Sequence, residues 1–185
     1  MSNRGAQYRA KQTVRNLIYS LLVTLGLVVA IILGVPRDDS NRLQPVDYAT
    51  IAQAASETEE TLVLAPEIPE GWYSNAARLD QTLGVRGWYI GFVTDENEFI
   101  GLSQAFETNP SWEAELLKTN FLEGEIELAG RTWEIWPTIN PQTPAGTKEF
   151  ALKHSYDQSV VVIYGTADRS DFELVANAIA KLLEN

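Results

Sequence analysis

Cysteine is absent from all 185 residues. Disulfides, thiolate nucleophiles, iron–sulfur clusters and Cys-ligated zinc are therefore excluded, as is the lipidated cysteine of a bacterial lipoprotein. Histidine occurs once, at His154, so a set of the Ser-His-Asp kind would have to use that imidazole. No acidic residue precedes Asp38, and residues 17–35 carry no charge of either sign. Basic residues are scarce beyond that run. Ten face all 25 Asp and Glu, a formal charge of −15, and so acidic a surface repels phosphate backbones and argues against nucleic-acid binding.

The uncharged run makes about 28 Å of helix at ~1.5 Å per residue, close to the thickness of a bilayer's hydrocarbon core. Arg4, Arg9, Lys11 and Arg15 precede it without an acidic counterweight, which predicts a cytoplasmic N-terminus and an extracytoplasmic remainder. The run is longer than a cleaved signal's apolar region, and its exit, Ile31-Ile32-Leu33-Gly34-Val35-Pro36, lacks small residues at the −3 position. The expectation is an uncleaved signal anchor. The chain divides into a basic cytoplasmic tail (1–15), a transmembrane anchor (16–35, crossing the lipid bilayer through 17–35), a Pro-bounded linker (36–45) and one extracytoplasmic domain (46–185).

Within that domain Asp47 is placed to cap a short helix through Ala55. Residues 62–64, 72–79, 85–94, 98–107, 125–128, 131–136, 148–154 and 159–165 read as strands, with turns at Asp95-Glu96-Asn97, Ala129-Gly130 and Tyr156-Asp157-Gln158. Asn109-Pro110 opens a middle helix. Ser170 and Glu173 form a capping box for a last one, with Phe172, Val175, Ile179, Leu182 and Leu183 on one face. Both faces of Val160-Val161-Val162-Ile163 are apolar, the mark of a central strand. The predicted fold is α+β: a mostly antiparallel sheet covered by helices, α/β/α sandwich-like, behind one transmembrane helix.

The basic anchor, Gly71-Trp72 after Pro66 and Pro69, Gly91-Phe92-Val93-Thr94, Gly130-Arg131-Thr132-Trp133, and Val160-Val161-Val162 running into Gly165-Thr166-Ala167 together resemble an uncharacterised actinobacterial family of single-pass membrane proteins, domain of unknown function 4245. The resemblance implies an exported domain on an anchor and supplies neither activity nor binding residues. The Pro-rich loop 140–146 departs from that pattern.

His154-Ser155-Tyr156-Asp157 imitates a catalytic set, but neighbours on a strand point to opposite faces. His154 is expected at the surface of a strand end, where substitution shifts stability by no more than about 0.5 kcal/mol. Asp95 to Glu98 lacks the glycine and distal glutamate of a calcium loop. Glu123, Glu125 and Glu127 alternate as on a solvated edge strand. Of the five tryptophans, Trp136 sits beside Glu134 on the face opposite Trp133 and is the candidate partner contact. No catalytic, metal or cofactor residue is assigned and no cofactor is expected. The reading is a non-enzymatic binding or accessory module of the cell envelope, its partner an envelope protein or lipid. The alternatives are a lipid or apolar small-molecule binding domain, and a hydrolase working by carboxylates alone.

Residues 46–185 are expected to fold alone as a soluble monomer without metal or disulfide, as size-exclusion chromatography and circular dichroism would show. Aggregation at neutral pH and moderate salt would point instead to an obligate partner surface.

Overall fold

The computed structural model describes residues 3–34, 45–59, 61–139 and 148–184. Most of the linker 36–45 and all of the loop 140–146 lie outside the described residues. The chain forms two units, Met1–Arg42 and Leu43–Asn185. The first contains helix α1 (Asn3–Gly34). Its window Thr13–Ala30 has a mean hydropathy of 1.7 and no buried residue, so length and composition suit it to cross a membrane. Thr24 donates its hydroxyl to the Ser20 carbonyl at 3.0 Å, which satisfies a polar group that a hydrocarbon surrounding would not.

The second unit is a seven-stranded, wholly antiparallel sheet in the order β1-β2-β3-β7-β6-β5-β4. The strands are β1 (Tyr73–Thr82), β2 (Val85–Val93), β3 (Phe99–Ala105), β4 (Gly124–Leu128), β5 (Arg131–Pro137), β6 (Phe150–Tyr156) and β7 (Ser159–Gly165). β7 is the middle strand, as its two apolar faces require. β4 is an edge, with Glu123, Glu125 and Glu127 exposed along it. Tight turns use left-handed residues where the sequence placed turns: Asn97 (φ 63°), Ala129 (47°) with Gly130 (72°), and Asp157 (49°).

Alternation sorts the sheet into two unequal faces. Trp88, Ile90 and Phe92 of β2, Ile100 and Leu102 of β3, Val161 and Ile163 of β7, and Trp133 of β5 share the main core with α2 (Tyr48–Glu59) and α4 (Arg169–Leu182). The opposite face carries a smaller cluster of Val160, Val162, Tyr164 and Ala151 under Trp112 and Leu117. Its only helix among the described residues, α3 (Pro110–Leu116), has two turns. Helices therefore lie on both faces, and among the described residues α3 is the shorter cover.

Local chemistry accounts for the helix starts. Asp47 accepts from the Thr50 amide at 3.1 Å, and α2 runs one turn past the expected Ala55. The Asn109 side chain accepts from the Trp112 amide at 2.9 Å, with Pro110 in the first turn. For α4 the expected box is not the cap. The N-cap is Asp168, without a side-chain cap bond, and Ser170 lies inside the helix.

Residues 62–64 are not a strand. They form an extended strap pinned by side chains rather than by a ladder. Gln104, 1% exposed on β3, accepts from the Leu64 amide at 2.9 Å and donates to the Leu62 carbonyl at 2.7 Å and the Tyr156 hydroxyl at 2.9 Å. Trp88 donates its indole N–H to the Leu64 carbonyl at 2.9 Å. Val63 and Leu64 are thereby sealed into the core.

Replacing Gln104 by Leu takes a partner from the part-buried Leu62 carbonyl and strands the Leu64 amide in the core, which costs roughly 1–3 kcal/mol. Urea unfolding of residues 46–185 should show a loss of that order, and Gln81→Leu on exposed β1 almost none. A loss within 0.5 kcal/mol, on the scale of an ordinary surface change, would refute the role given to Gln104.

Candidate functional site

Two openings in the domain bring polar side chains together, one on each face of the sheet. The first is a cleft on the α3 face enclosing about 260 Å³, with Arg78, Tyr89, Ser103, Trp112, Lys148 and Tyr164 among its lining residues. A glycine pair lies against its aromatic rings. Gly91 and Gly101 face each other across β2 and β3. A methyl on Gly101 would meet the Tyr164 ring at 2.9 Å and Phe99 at 3.1 Å, and one on Gly91 would collide with the Asn75 side chain and come within 3.1 Å of the Tyr89 hydroxyl. Without side chains there, the aromatic rings lie down on the sheet.

Two cations flank those rings. The Arg78 guanidinium lies 4.2 Å from the Tyr89 ring centre, and the Lys148 ammonium 5.2 Å from that of Tyr164. Lys148 donates to the Leu116 carbonyl at 2.9 Å. Burial, helped by the charge of Lys118 and opposed by that of Glu115, lowers the Lys148 pKa. Burial also pushes the Tyr89 phenol up to about 12 and raises that of Tyr164, so both remain neutral O–H groups near neutral pH.

Beside the cleft, Lys153 joins α3 to the sheet. Its ammonium lies 2.7 Å from Glu113 of α3 and 3.4 Å from Glu134 of β5. Burial alone would lower the Lys153 pKa, but the Glu113 hydrogen bond and both carboxylate charges raise it. Trp136 stands on this face beside Glu134, as alternation predicted. It is half-buried, and its indole donates to Glu134 at 2.9 Å.

The second opening is a groove of about 710 Å³ at one end of the main core. It runs between the C-terminal ends of α2 and α4, with Leu62, Phe106, Arg131, Tyr156, Asp157 and Leu183 on its walls. Arg131 crosses it to donate to the Leu183 carbonyl at 2.7 Å. Burial pushes the Tyr156 phenol up to about 12, against the hydrogen bonds from Gln104 and Ser159.

His154 corrects the expectation of a surface histidine. It is 8% exposed, on the core face with Phe150, Leu152 and Tyr156. The ladder between β5 and β6 stops at Glu134 and Lys153, and the imidazole fills the gap, its Nδ1 2.8 Å from the Thr132 carbonyl. A carbonyl only accepts, so Nδ1 carries the proton and Nε2 is an acceptor when the ring is neutral. The ring packs between Trp133 and Tyr156, with centres at 5.2 and 5.9 Å. Ser155 points to the opposite, exposed side, so the apparent catalytic set is not assembled. Arg131 Nε, Trp133 Nε1 and His154 Nε2 are buried without a hydrogen-bond partner among the described residues.

Sequence reasoning missed both openings. The cleft draws Arg78, Tyr89, Ser103, Lys148 and Tyr164 from well-separated parts of the chain, and no local spacing joins them. The paired glycines opposite aromatic residues were the one local signal.

The model of a family described as "Protein of unknown function (DUF4245)" matches residues 9–179. No curated protein and no solved structure matches the chain.

The His154 ring supplies a pH test. Burial, reinforced by the Arg131 charge and opposed by the Thr132 carbonyl, lowers its pKa from the usual 6.5. The unfolded chain therefore binds the proton more readily, and this residue's contribution to stability is lost as pH falls below 6.5. The melting temperature of the wild-type domain should fall relative to that of His154→Phe between pH 7.5 and 5. A difference independent of pH would contradict the buried neutral imidazole.

Proposed function

The chain belongs to the DUF4245 family, and on that premise we propose that it is a single-pass membrane protein whose second unit is a non-enzymatic, extracytoplasmic binding module of the cell envelope. The observation that carries this reading is the apolar window Thr13–Ala30 of α1, with four cations before residue 17 and no acidic residue before Asp38. Charge asymmetry of that kind holds the basic end in the cytoplasm. The partner is an envelope protein or lipid, and half-buried Trp136 is a contact for it.

The side chains that invite catalysis have structural work. Glu113 and Glu134 meet at Lys153 and hold α3 to the sheet, and His154 plugs the gap between β5 and β6. Two openings with fixed polar groups favour binding. The groove favours a second reading, small-molecule binding beside α4. Its Leu62, Phe106 and Leu183 suit an apolar portion, whereas Arg131 and Asp157 require that ligand to be amphipathic rather than purely apolar.

Topology is testable without background, because the chain has no cysteine. A cysteine replacing Ser40 should react with an impermeant thiol reagent in intact cells, and one replacing Ser2 should not. The reverse labelling pattern would overturn the proposal.

A further inference from the structure

We propose that the cleft on the α3 face binds a small oxyanion, a phosphate or carboxylate group on a compact body, held between Arg78 and Lys148 over the tyrosine pair. The inference rests on the reading of this unit as a binding module but not on its orientation in a membrane.

Charge distribution is the first argument. Arg86 pairs with Glu59, Lys118 with Glu115, Lys153 with Glu113 and Glu134, and Arg169 with Glu123. In so acidic a chain this is the expected fate of a basic side chain. Arg78 and Lys148 have no carboxylate within ion-pair distance among the described residues, and both line the same cleft. Glu115, also on its wall, pairs with Lys118 at 2.5 Å, beyond ion-pair distance of Lys148 although its charge still acts on that ammonium. Asp80 stands exposed at the rim, where it disfavours a second negative charge and limits the ligand to one anionic end.

Hydrogen-bonding capacity points the same way. Arg78 offers a planar fork of donors, and Lys148 retains two N–H groups beyond the one given to Leu116. The phenols of Tyr89 and Tyr164 and the hydroxyl of Thr82 add donors on the same walls, while Ser103 is hydrogen-bonded to Tyr164. Oxyanions take several charge-assisted bonds of this kind, and Arg suits their geometry best.

The cations are also held in place before a ligand arrives. Arg78 rests on Tyr89, and Lys148 is fixed by Tyr164 and the Leu116 carbonyl. The two rings are themselves set by Gly91 and Gly101. Such restraint lowers the ordering cost of binding. A volume of about 260 Å³ lies below the usual range for drug-sized ligands, so the cleft admits a small solute or a lipid headgroup, with Trp112 and Leu116 against its apolar part.

The experiment is calorimetric titration of the purified full-length chain in dodecyl maltoside micelles with sodium phosphate, against sodium chloride at matched ionic strength. The expected result is one saturable site, weakened at least about fivefold in Arg78→Gln and in Lys148→Gln, as for loss of a charged hydrogen bond, and unchanged in Arg86→Gln. The Arg78 side chain is exposed and rests on the Tyr89 ring, so Arg78→Gln keeps the fold and stands as the decisive variant if Lys148→Gln is unstable. Repetition in phosphatidylglycerol nanodiscs separates the sources. Undiminished phosphate binding there identifies a free solute, and competition identifies a lipid headgroup. Absence of saturable binding in micelles, or equal affinity in wild type and Arg78→Gln, overturns the proposal. Neither result depends on which side of a membrane the domain occupies.

Discussion

A primary amide buried in the middle of a sheet must find its partners or destabilise everything around it. Gln104 finds them in the strap at residues 62–64 and in Tyr156. That cross-link ties the segment after α2 to the central strands, and the strap's Val63 and Leu64 seal the core. Trp88, reaching the same Leu64 carbonyl, fixes the strap from β2. The position of α2 over β1 follows, since its C-terminal end is tethered within a few residues of the pinned strap. The groove follows as well: one wall is the strap, the other is the end of α4, and Tyr156 lies between them.

The faces of the sheet have different characters for a simple reason of coverage. Two amphipathic helices and the strap close one face, and its side chains are accordingly large and apolar. Among the described residues, only the two turns of α3 lie on the other, and that face mixes Val160 and Val162 with tyrosines, Lys153 and glutamates. A partly covered face must satisfy charged groups with one another or with water. Lys153 does the first with Glu113 and Glu134. Arg78 and Lys148 lie on aromatic rings instead, and those rings have room only because Gly91 and Gly101 carry no side chains.

Much of this architecture was legible in the sequence. Period-two alternation located seven strands, Val160-Val161-Val162-Ile163 marked the middle one, and the glutamates of β4 marked an edge. Asn109-Pro110 placed the start of α3. The failures have distinct causes. Residues 62–64 looked like a strand because extended backbone and apolar side chains are common to strands and straps, and the partner that decides between them, Gln104, lies 40 residues away. Ser170 and Glu173 satisfy the spacing of a capping box, but tertiary packing begins α4 at Arg169. His154 was misplaced although it continues the alternation of Phe150 and Leu152. Its polarity outweighed its register, and the break in the β5–β6 ladder that accommodates it has no sequence signal.

The central claim is that a side-chain cross-link, not a backbone ladder, holds the strap in the core. Hydrogen exchange of the Leu64 amide measures that bond directly. Bonded to Gln104 and shielded by the core, it should exchange as slowly as the amides of β3 and β7, through opening of the whole domain. Exchange at the rate of an exposed loop, with β3 and β7 still protected, would contradict the account.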